Sequence, residues 1–308
     1  MRFFGKTSID FMGKRRLWYS ISATVIGIGL VSLFVKGVDL GIDFLGGTEI
    51  IVGFDKSVQI GDVRVAMDKA GVSKPEVKSY GTDKDILIRT AEQAEGAIVG
   101  ERIRAGLKQS FPNNAFAVLK EDKIGPKIGA ELRLDAVYAV VASLIAIMIY
   151  VAFRFKWIYG VGAVVALFHD VLVTLGLISL FDGLTPQFNF EISQNMVAAF
   201  LTLVGLSVND TVVIFDRIRE NQKIYRSMGT LELMNKSLNE TLSRTIITSG
   251  TVFIVLVVLL VFGGEVNRGF AFALTVGIIT GTYSSIYIAG AIVLEWSERA
   301  KTKAQLID

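Results

Sequence analysis

The chain has 308 residues, 52% of them hydrophobic and 20% charged, with a mean hydropathy of +0.52. Soluble domains usually contain about 45–50% apolar residues dispersed along the chain, whereas here they cluster in long runs, so the composition excludes a disordered chain and a purely soluble protein. The formal charge of +3 is not gathered in one basic patch, and the lack of cysteine with a single histidine, His169, excludes disulfides, thiol nucleophiles and multi-histidine metal clusters.

Six apolar runs are long enough to cross a hydrocarbon core, which takes about 20 helical residues. All four prolines lie outside these runs, as continuous helices require. The first run could also be a secretory signal peptide, but it is longer than a typical signal core and no A-x-A-like cleavage site follows, which favours an uncleaved anchor. The predicted spans are Leu17–Val35, Leu132–Phe153, Trp157–Phe181, Ile192–Phe215, Thr245–Phe262 and Gly269–Leu294.

Lysine and arginine are concentrated before the first run and in the loops after the second and fourth runs. Positive loops mark the cytoplasmic side, and an even number of spans returns the chain to that side. The sequence therefore predicts a cytoplasmic N-terminal segment (1–16), a first span (17–36), an extracytoplasmic domain (37–131), spans two to six (132–294) and a cytoplasmic tail (295–308).

The polar stretch between the first two spans has the periodicity of a small α+β domain. Its pattern predicts strands at 48–54, 76–80, 85–90 and 115–120 and helices at 60–70 and 94–110. This βαββαβ order is that of the ferredoxin-like, split βαβ fold. The expected fold class is thus a polytopic α-helical membrane protein with six transmembrane helices and a ferredoxin-like α+β domain between spans one and two.

Signatures of nucleotide hydrolysis and of common hydrolytic sites are missing. The sequence contains no G-x-x-x-x-G-K-[ST], no G-x-S-x-G and no H-E-x-x-H. We therefore expect no enzyme, no cofactor, no metal site and no catalytic residue. Any work would be powered by a partner or by a membrane gradient.

Ionisable residues at membrane depth cost about 2.5–3.5 kcal/mol on insertion scales and are functional candidates by default. Asp210 lies inside the fourth run with Ser207 and Asn209, in its cytoplasmic half, or nearer the middle if the helix continues through Asp216. Arg244 opens the fifth run from the same side. The carboxylate and the guanidinium could form a proton switch or a static ion pair that orders the bundle. The sequence leaves both open.

A second ionisable pair, His169 and Asp170, lies midway along the third run. It fits a proton relay and a helix–helix hydrogen bond equally well. Small residues recur every fourth position from Ala273 to Ser285, which indicates close helix packing. A similar stripe from Ala198 to Asn209 fits tight packing or room for protons and water beside the fourth run.

Four segments stand in fixed order: Gly41–Thr48 (GIDFLGGT), Ile124–Gly129 (IGPKIG), Ser207–Asn221 (SVNDTVVIFDRIREN) and Ser243–Gly250 (SRTIITSG). In these motifs and their spacing the chain resembles the SecD/SecF family of bacterial protein-export membrane proteins, within the resistance-nodulation-division superfamily. Leu45 stands where the family commonly has threonine. We expect structural roles for the motif residues Gly41, Asp43, Gly46, Gly47, Asp216 and Arg217.

The resemblance implies a SecF-type subunit that assists preprotein translocation through the SecYEG channel with the proton-motive force. It implies proton coupling at Asp210 and Arg244, with Asn209 and Ser207 beside them, and leaves His169 and Asp170 as secondary relay residues. The implied partners are SecD, SecYEG, a preprotein and membrane lipid. YajC and YidC are further implied partners, and nucleic acid is not an expected partner. The implied location is the bacterial inner membrane with both termini cytoplasmic. Half of a proton-driven small-molecule exporter and a passive scaffold remain alternatives.

Overall fold

The computed structural model describes residues 7–92, 98–184, 188 and 190–305. Parts of the predicted elements therefore lie outside the described residues, namely 1–6 of the N-terminal segment, 94–97 of the second domain helix and 306–308 of the tail. The helices are α1 (Arg15–Val35), α2 (Ile42–Leu45), α3 (Ile60–Lys69), α4 (Ile98–Ser110), α5 (Pro126–Arg154), α6 (Trp157–Phe181), α7 (Gln194–Ile224), α8 (Thr230–Phe262), α9 (Gly264–Ser284) and α10 (Ala291–Gln305). The strands are β1 (Asp39–Leu40), β2 (Gly47–Phe54), β3 (Glu76–Tyr80), β4 (Thr82–Thr90), β5 (Phe116–Ile124) and β6 (Glu191–Ile192).

Six helices of the described part are long and apolar enough to cross a membrane, which confirms the predicted number of spans. They are Met12–Val35, Pro126–Arg154, Trp157–Phe181, Gln194–Ile224, Thr230–Phe262 and Asn267–Arg299. The last joins α9 to α10 through a π-helical segment, Ser285–Gly290. Spans three, four and six form the centre, with 44–72% of their apolar windows buried, whereas spans one, two and five are at most 17% buried.

The helices of spans four and five extend well beyond their apolar runs. α7 continues to Ile224 and α8 already begins at Thr230, so that the two form a polar helical hairpin. Within it, Asn221 Nδ2 donates to Ser237 Oγ at 2.9 Å. Apolar side chains such as Ile218, Leu233 and Met234 are buried there as well, but they are interspersed with polar residues and form no apolar run from which the sequence could locate the helix ends.

The domain after α1 has the element order strand–helix–strand–strand–helix–strand. Its antiparallel sheet has the order β3-β4-β2-β5. Gly81, with φ +79°, makes the tight β3–β4 turn, so β4 begins at Thr82 rather than at residue 85 as predicted. One sheet face packs on α3 and α4 around Ile50, Ile86, Ile88, Val63, Met67, Ile103 and Leu107.

Two short strands tie this domain to the helical bundle. β1 pairs in parallel with β6, the residues just before α7. Neither two-residue strand was predicted, since a period of two cannot be recognised over so short a segment. At the other end of the domain, α5 begins at Pro126 rather than at residue 132, because proline is well suited to the first helical position.

Candidate functional site

A buried carboxylate lies at the centre of the bundle, where α6, α7 and α9 meet. Asp170 is 0% exposed and sits mid-way along α6. Its Oδ2 accepts hydrogen bonds from Ser207 Oγ at 2.7 Å and from Ser284 Oγ at 2.9 Å. Its Oδ1 lies 3.0 Å from His169 Nδ1. Three groups therefore satisfy the carboxylate, and two of them come from other spans.

The histidine extends this network to α1. His169 Nε2 lies 3.0 Å from Ser22 Oγ and 2.8 Å from Tyr283 Oη. The serine and the tyrosine hydroxyl are 3.1 Å apart. A continuous chain of polar contacts thus joins spans one, three, four and six. A buried imidazole bonded to a carboxylate can hold, release or pass on one proton in such a setting.

Small residues and an irregular helix make this close assembly possible. A Cβ added at Gly281 would lie 2.9 Å from Ser207 Cβ, so only glycine lets the two helices approach there. Thr211 Oγ1 lies 2.8 Å from Ser285 Oγ, the first residue of the π-helical segment. Helical π-segments occur often at functional sites. The predicted small-residue stripe on span six is therefore in part a packing face of the polar network.

Apolar side chains close the network on both sides along the bundle axis. One cluster lies toward the start of α7 and includes Phe190, Met196, Phe200, Leu203 and Ile278. The other lies toward its end and includes Tyr159, Ile214, Phe215, Ile218 and Tyr287. Water is thereby separated from the Asp170 carboxylate by packed side chains at both ends.

Asp210 belongs to a second, separate contact one helical turn beyond Ser207. It is 5% exposed, and its Oδ2 accepts a hydrogen bond from Ser249 Oγ of α8 at 2.7 Å. Since α7 runs from 194 to 224, Asp210 lies near the middle of the helix, the second of the two positions considered from the sequence. α7 thus presents Ser207 to α6 and α9, and Asp210 to α8.

Arg244 is exposed on α8, and none of the ion pairs between described residues joins it to Asp210. Its charge acts on the carboxylate through space only. Asn209, the other predicted pathway residue, lies on the exposed face of α7. The structure therefore brings together Asp170, His169 and Ser207, while the Asp210–Arg244 switch stays a prediction.

The glycine-rich motif residues meet at the join between the domain and the bundle. Asp43 Oδ2 accepts a hydrogen bond from the backbone N–H of Gln194, the first residue of α7. Gly47 has φ +121°, and a Cβ there would lie 2.3 Å from a carbonyl oxygen of β4. A Cβ at Gly129 would lie 3.0 Å from Gly46 N. The two motifs that flank the domain in the sequence are thus in direct contact.

The remaining motif residues are Gly41, Asp216 and Arg217. Gly41 N donates to Ile192 O at 2.9 Å, next to the β1–β6 pair. Asp216 forms an exposed ion pair with Arg154 at 3.0 Å. Arg217 Nε lies 2.7 Å from Glu240 Oε2 within the α7–α8 hairpin. These contacts join elements of the chain and involve none of the buried carboxylates.

An ionic cluster at the join escaped the sequence analysis. Arg89 of β4 has a side chain only 5% exposed and pairs with Glu49 of β2 at 2.7 Å, with Glu76 of β3 at 3.4 Å and with Glu191 of β6. Lys78 of β3 adds contacts to Asp39 of β1 at 2.6 Å and to Glu76 at 2.8 Å. The one available signal was a charged residue next to a short apolar stretch, Glu49 before 50–52 in β2 and Arg89 after 86–88 in β4.

This cluster borders a polar cavity of about 250 Å³ between the sheet and the start of α7. Burial raises the pKa of Glu191 above its ordinary value, although Arg89 and Lys78 act in the opposite direction. Burial, with nearby Glu49 and Glu191, raises the pKa of Tyr80 to about 12. Among the described residues, no group of three or more His, Cys, Asp or Glu side chains is arranged to hold a metal ion.

Known proteins resemble this chain over nearly its whole length. Residues 104–299 match the family model of the protein export membrane protein SecD/SecF, C-terminal, and residues 31–58 match the SecD/SecF GG motif. The protein translocase subunit SecF of Rhodothermus marinus is 46% identical over 306 residues, 99% of each chain. That of Escherichia coli O157:H7 is 38% identical over 294 residues, 94% of this chain and 88% of the other.

Solved structures agree in fold. The crystal structure of SecDF, a translocon-associated membrane protein from Thermus thermophilus, superimposes with a TM-score of 0.83 at 37% identity. The match covers 95% of this chain and 39% of that one. A SecDF structure in a super-membrane-facing form gives a TM-score of 0.73 at 36% identity, covering 99% of this chain and 41% of the other.

Proposed function

This multi-pass membrane protein belongs to the SecD/SecF family as a SecF-type protein translocase subunit, and from that premise we propose that it assists preprotein translocation through SecYEG at the expense of the proton-motive force. The observation that carries the proposal is Asp210, a buried carboxylate near the middle of span four whose hydrogen-bond partner is a hydroxyl. The relatives are named translocase subunits rather than enzymes, and we propose no enzymatic step for this chain.

The surroundings of Asp210 suit a group that cycles between two protonation states. Ser249 Oγ can donate to the carboxylate or accept from the carboxylic acid, so either state keeps a hydrogen bond. Arg244 is exposed, and none of the ion pairs between described residues joins it to Asp210, so protonation of the carboxylate breaks no ion pair there. A proton crossing 100 mV releases about 2.3 kcal/mol, which is the energy available per step.

A polar strip at membrane depth supports a SecD-type partner. Asn209 and Thr202 of α7 and Arg244, Thr248 and Thr251 of α8 are all exposed on the chain. The three threonine hydroxyls donate to carbonyls of their own helices, but the Asn209 amide and the Arg244 guanidinium are groups that are rarely left to lipid, because hydrocarbon offers them no hydrogen bonds. We therefore place the partner against this strip, which would enclose Arg244 and complete the surroundings of Asp210. The 39% coverage of the SecDF chain leaves room for such a second half.

The network around Asp170 supplies the secondary relay. Ser207 is bonded to Asp170 and lies one turn from Asp210 on the same helix, so a proton at either carboxylate alters the charge beside α7. His169 can hold the proton that Asp170 gives up. We propose that the two carboxylates act in sequence, with Ser207 between them.

The proposal also includes the fold of the domain between spans one and two and the topology of the chain. The element order of this domain, the strand order of its sheet and the two helices on one sheet face support a ferredoxin-like fold. The basic loops support an extracytoplasmic domain (37–131) and cytoplasmic termini in the bacterial inner membrane. YajC and YidC as further partners rest on the family resemblance alone.

The test compares Asp210→Asn with Asp216→Asn at equal membrane abundance, in vesicles that contain the partner subunit and the channel. Asparagine keeps size and hydrogen bonding but cannot ionise, so Asp210→Asn should assemble yet lose gradient-dependent export. Asp216→Asn removes only an exposed pair with Arg154 and should retain it. Wild-type stimulation by Asp210→Asn would favour a passive scaffold, in which the Asp210–Ser249 bond only orders the bundle.

A further inference from the structure

The external sheet has one apolar face and one charged face. The apolar side chains pack on α3 and α4, while a row of charged residues crosses the four strands on the other side. The register places Arg89 opposite both Glu76 and Glu49, and Glu49 opposite Asp122. Since residues directly opposite each other on neighbouring strands share a face, this row is one continuous stripe. Its centre lies against the bundle rather than in open solvent, because Arg89 and Glu49 are at most 7% exposed and Arg89 pairs with Glu191.

Glu191 joins this stripe from the bundle side, immediately before span four. Glu191 of β6 bonds Arg89 and lies two residues before Ser193, which caps α7 by accepting a hydrogen bond from Met196 N at 3.3 Å. β6 is itself paired with β1, whose Asp39 bonds Lys78. Two strands of the external sheet therefore hold both strands of the β1–β6 pair.

Chain connectivity makes these contacts important. The domain is inserted between spans one and two, so no covalent segment of its own leads to span four. The start of α7 is held to the domain side by the β1–β6 pairing, by the Asp43–Gln194 hydrogen bond and by the Arg89–Glu191 ion pair. The ion pair reaches into the four-stranded sheet, where Lys78 of β3 also lies 3.7 Å from Glu191. α7 is also the helix that carries Ser207 and Asp210.

We propose that Arg89 and Glu191 form a joint that transmits displacement of span four to the external domain. The inference rests on the proposed function, since it takes proton binding in the bundle as the source of that displacement. Arg89 acts as a positioning residue: it is clamped between Glu49 and Glu76 on the sheet, so that movement of Glu191 moves the sheet as a whole. An apolar contact would allow sliding, whereas a charge-assisted hydrogen bond from an arginine that two sheet carboxylates hold in place fixes direction and distance.

The experiment separates proton uptake from export in proteoliposomes that contain this chain, its partner subunit and the channel. Glu191→Gln and Arg89→Gln should keep gradient-driven proton uptake and lose export stimulation by at least about fivefold, the lower end of a typical coupling between sites. The control is Arg102→Gln, which breaks a pair with Glu92 inside the domain, 2.6 Å long, and should leave both activities unchanged.

A covalent replacement of the joint keeps the test independent of folding defects. The chain has no cysteine, so Asp39→Cys with Lys78→Cys can be bridged by a short bismaleimide in a cysteine-free partner background. In the Glu191→Gln variant this bridge should restore export without changing uptake. Full export by unbridged Glu191→Gln, or an equal loss of uptake and export at matched abundance, would overturn the joint. Retained uptake in Asp210→Asn would count against the proposed function alone, because the joint is judged from the ratio of export to uptake.

Discussion

The hydroxyl donors to Asp170 allow a quantitative test of the buried network. Ser207 and Ser284 both donate to Oδ2, at 2.7 and 2.9 Å, and each is fully or almost fully buried. Hydrogen bonds to charged groups are worth about 1.5–3 kcal/mol in soluble proteins, whereas interhelical bonds in a membrane protein average about 0.6 and reach about 1.7 kcal/mol. We therefore expect Ser207→Ala or Ser284→Ala alone to lower the free energy of unfolding by about 1–2 kcal/mol.

The double variant should cost more than the sum of the two. After one substitution Oδ2 keeps a donor, but after both it is a buried carboxylate oxygen without one, and desolvation then dominates. The expected coupling free energy is about 1 kcal/mol or more. Reversible unfolding in mixed micelles would measure it. Thr202→Ala, which removes an exposed hydroxyl bonded to its own helix, should change stability by less than about 0.5 kcal/mol.

Additive effects within about 0.5 kcal/mol would refute this reasoning, because they would mean that the two hydroxyls do not share one acceptor. A useful variant here is Asp170→Asn. It removes the charge whose desolvation produces the coupling, so the coupling between Ser207 and Ser284 should fall toward zero in that background. Persistence of the full coupling would assign it to helix packing rather than to the carboxylate.

Two further predictions concern packing and pH. A Cβ at Gly29 would lie 2.8 Å from Gly176 Cα, so Gly29→Val should separate α1 from α6 and destabilise the protein by about 1–3 kcal/mol in micelle unfolding, whereas Gly27→Val meets nothing within 4 Å and should be neutral. Because burial raises the pKa of Tyr80 from 10.0 to about 12, its stabilisation is complete below pH 10 and is lost as pH rises toward 12. The absorbance difference between wild type and Tyr80→Phe should therefore titrate near pH 12, and a midpoint near 10 would contradict the buried position.

The number of spans could be predicted from the sequence, but their ends could not. A run of about 20 apolar residues identifies a span without further information, because a helix needs that length and that composition to cross the hydrocarbon core. The polar continuation of α7 to Ile224 and the early start of α8 at Thr230 depend on contacts such as Asn221 with Ser237. Hydropathy does not register a polar helix that is stabilised by a neighbouring helix. The short β1–β6 pair was missed for another reason, since a period of two cannot be recognised over two residues.

The residues of the candidate site could likewise be predicted only in part. Asp170, His169 and Asp210 could be identified from the sequence because an ionisable side chain at membrane depth raises the free energy of insertion. Such residues are therefore rare in spans unless they have a function. Their partners could not be predicted, since serines are common in spans and nothing local marks Ser284 as a donor. Arg89 was missed for a related reason: its significance depends on strand register and on a residue of another part of the chain.

The energy of a single proton limits how span four can move. About 2.3 kcal/mol per 100 mV is comparable to about one to four interhelical hydrogen bonds at about 0.6–1.7 kcal/mol each. Proton binding therefore cannot break the Asp170 network, the Asp210–Ser249 hydrogen bond and the Asp43–Gln194 hydrogen bond together. A displacement of α7 driven by one proton must keep most of these contacts and move the attached groups with it. A small, nearly rigid shift meets that condition, and the proposed ionic joint at Glu191 is what would allow a small shift to reach the four-stranded sheet.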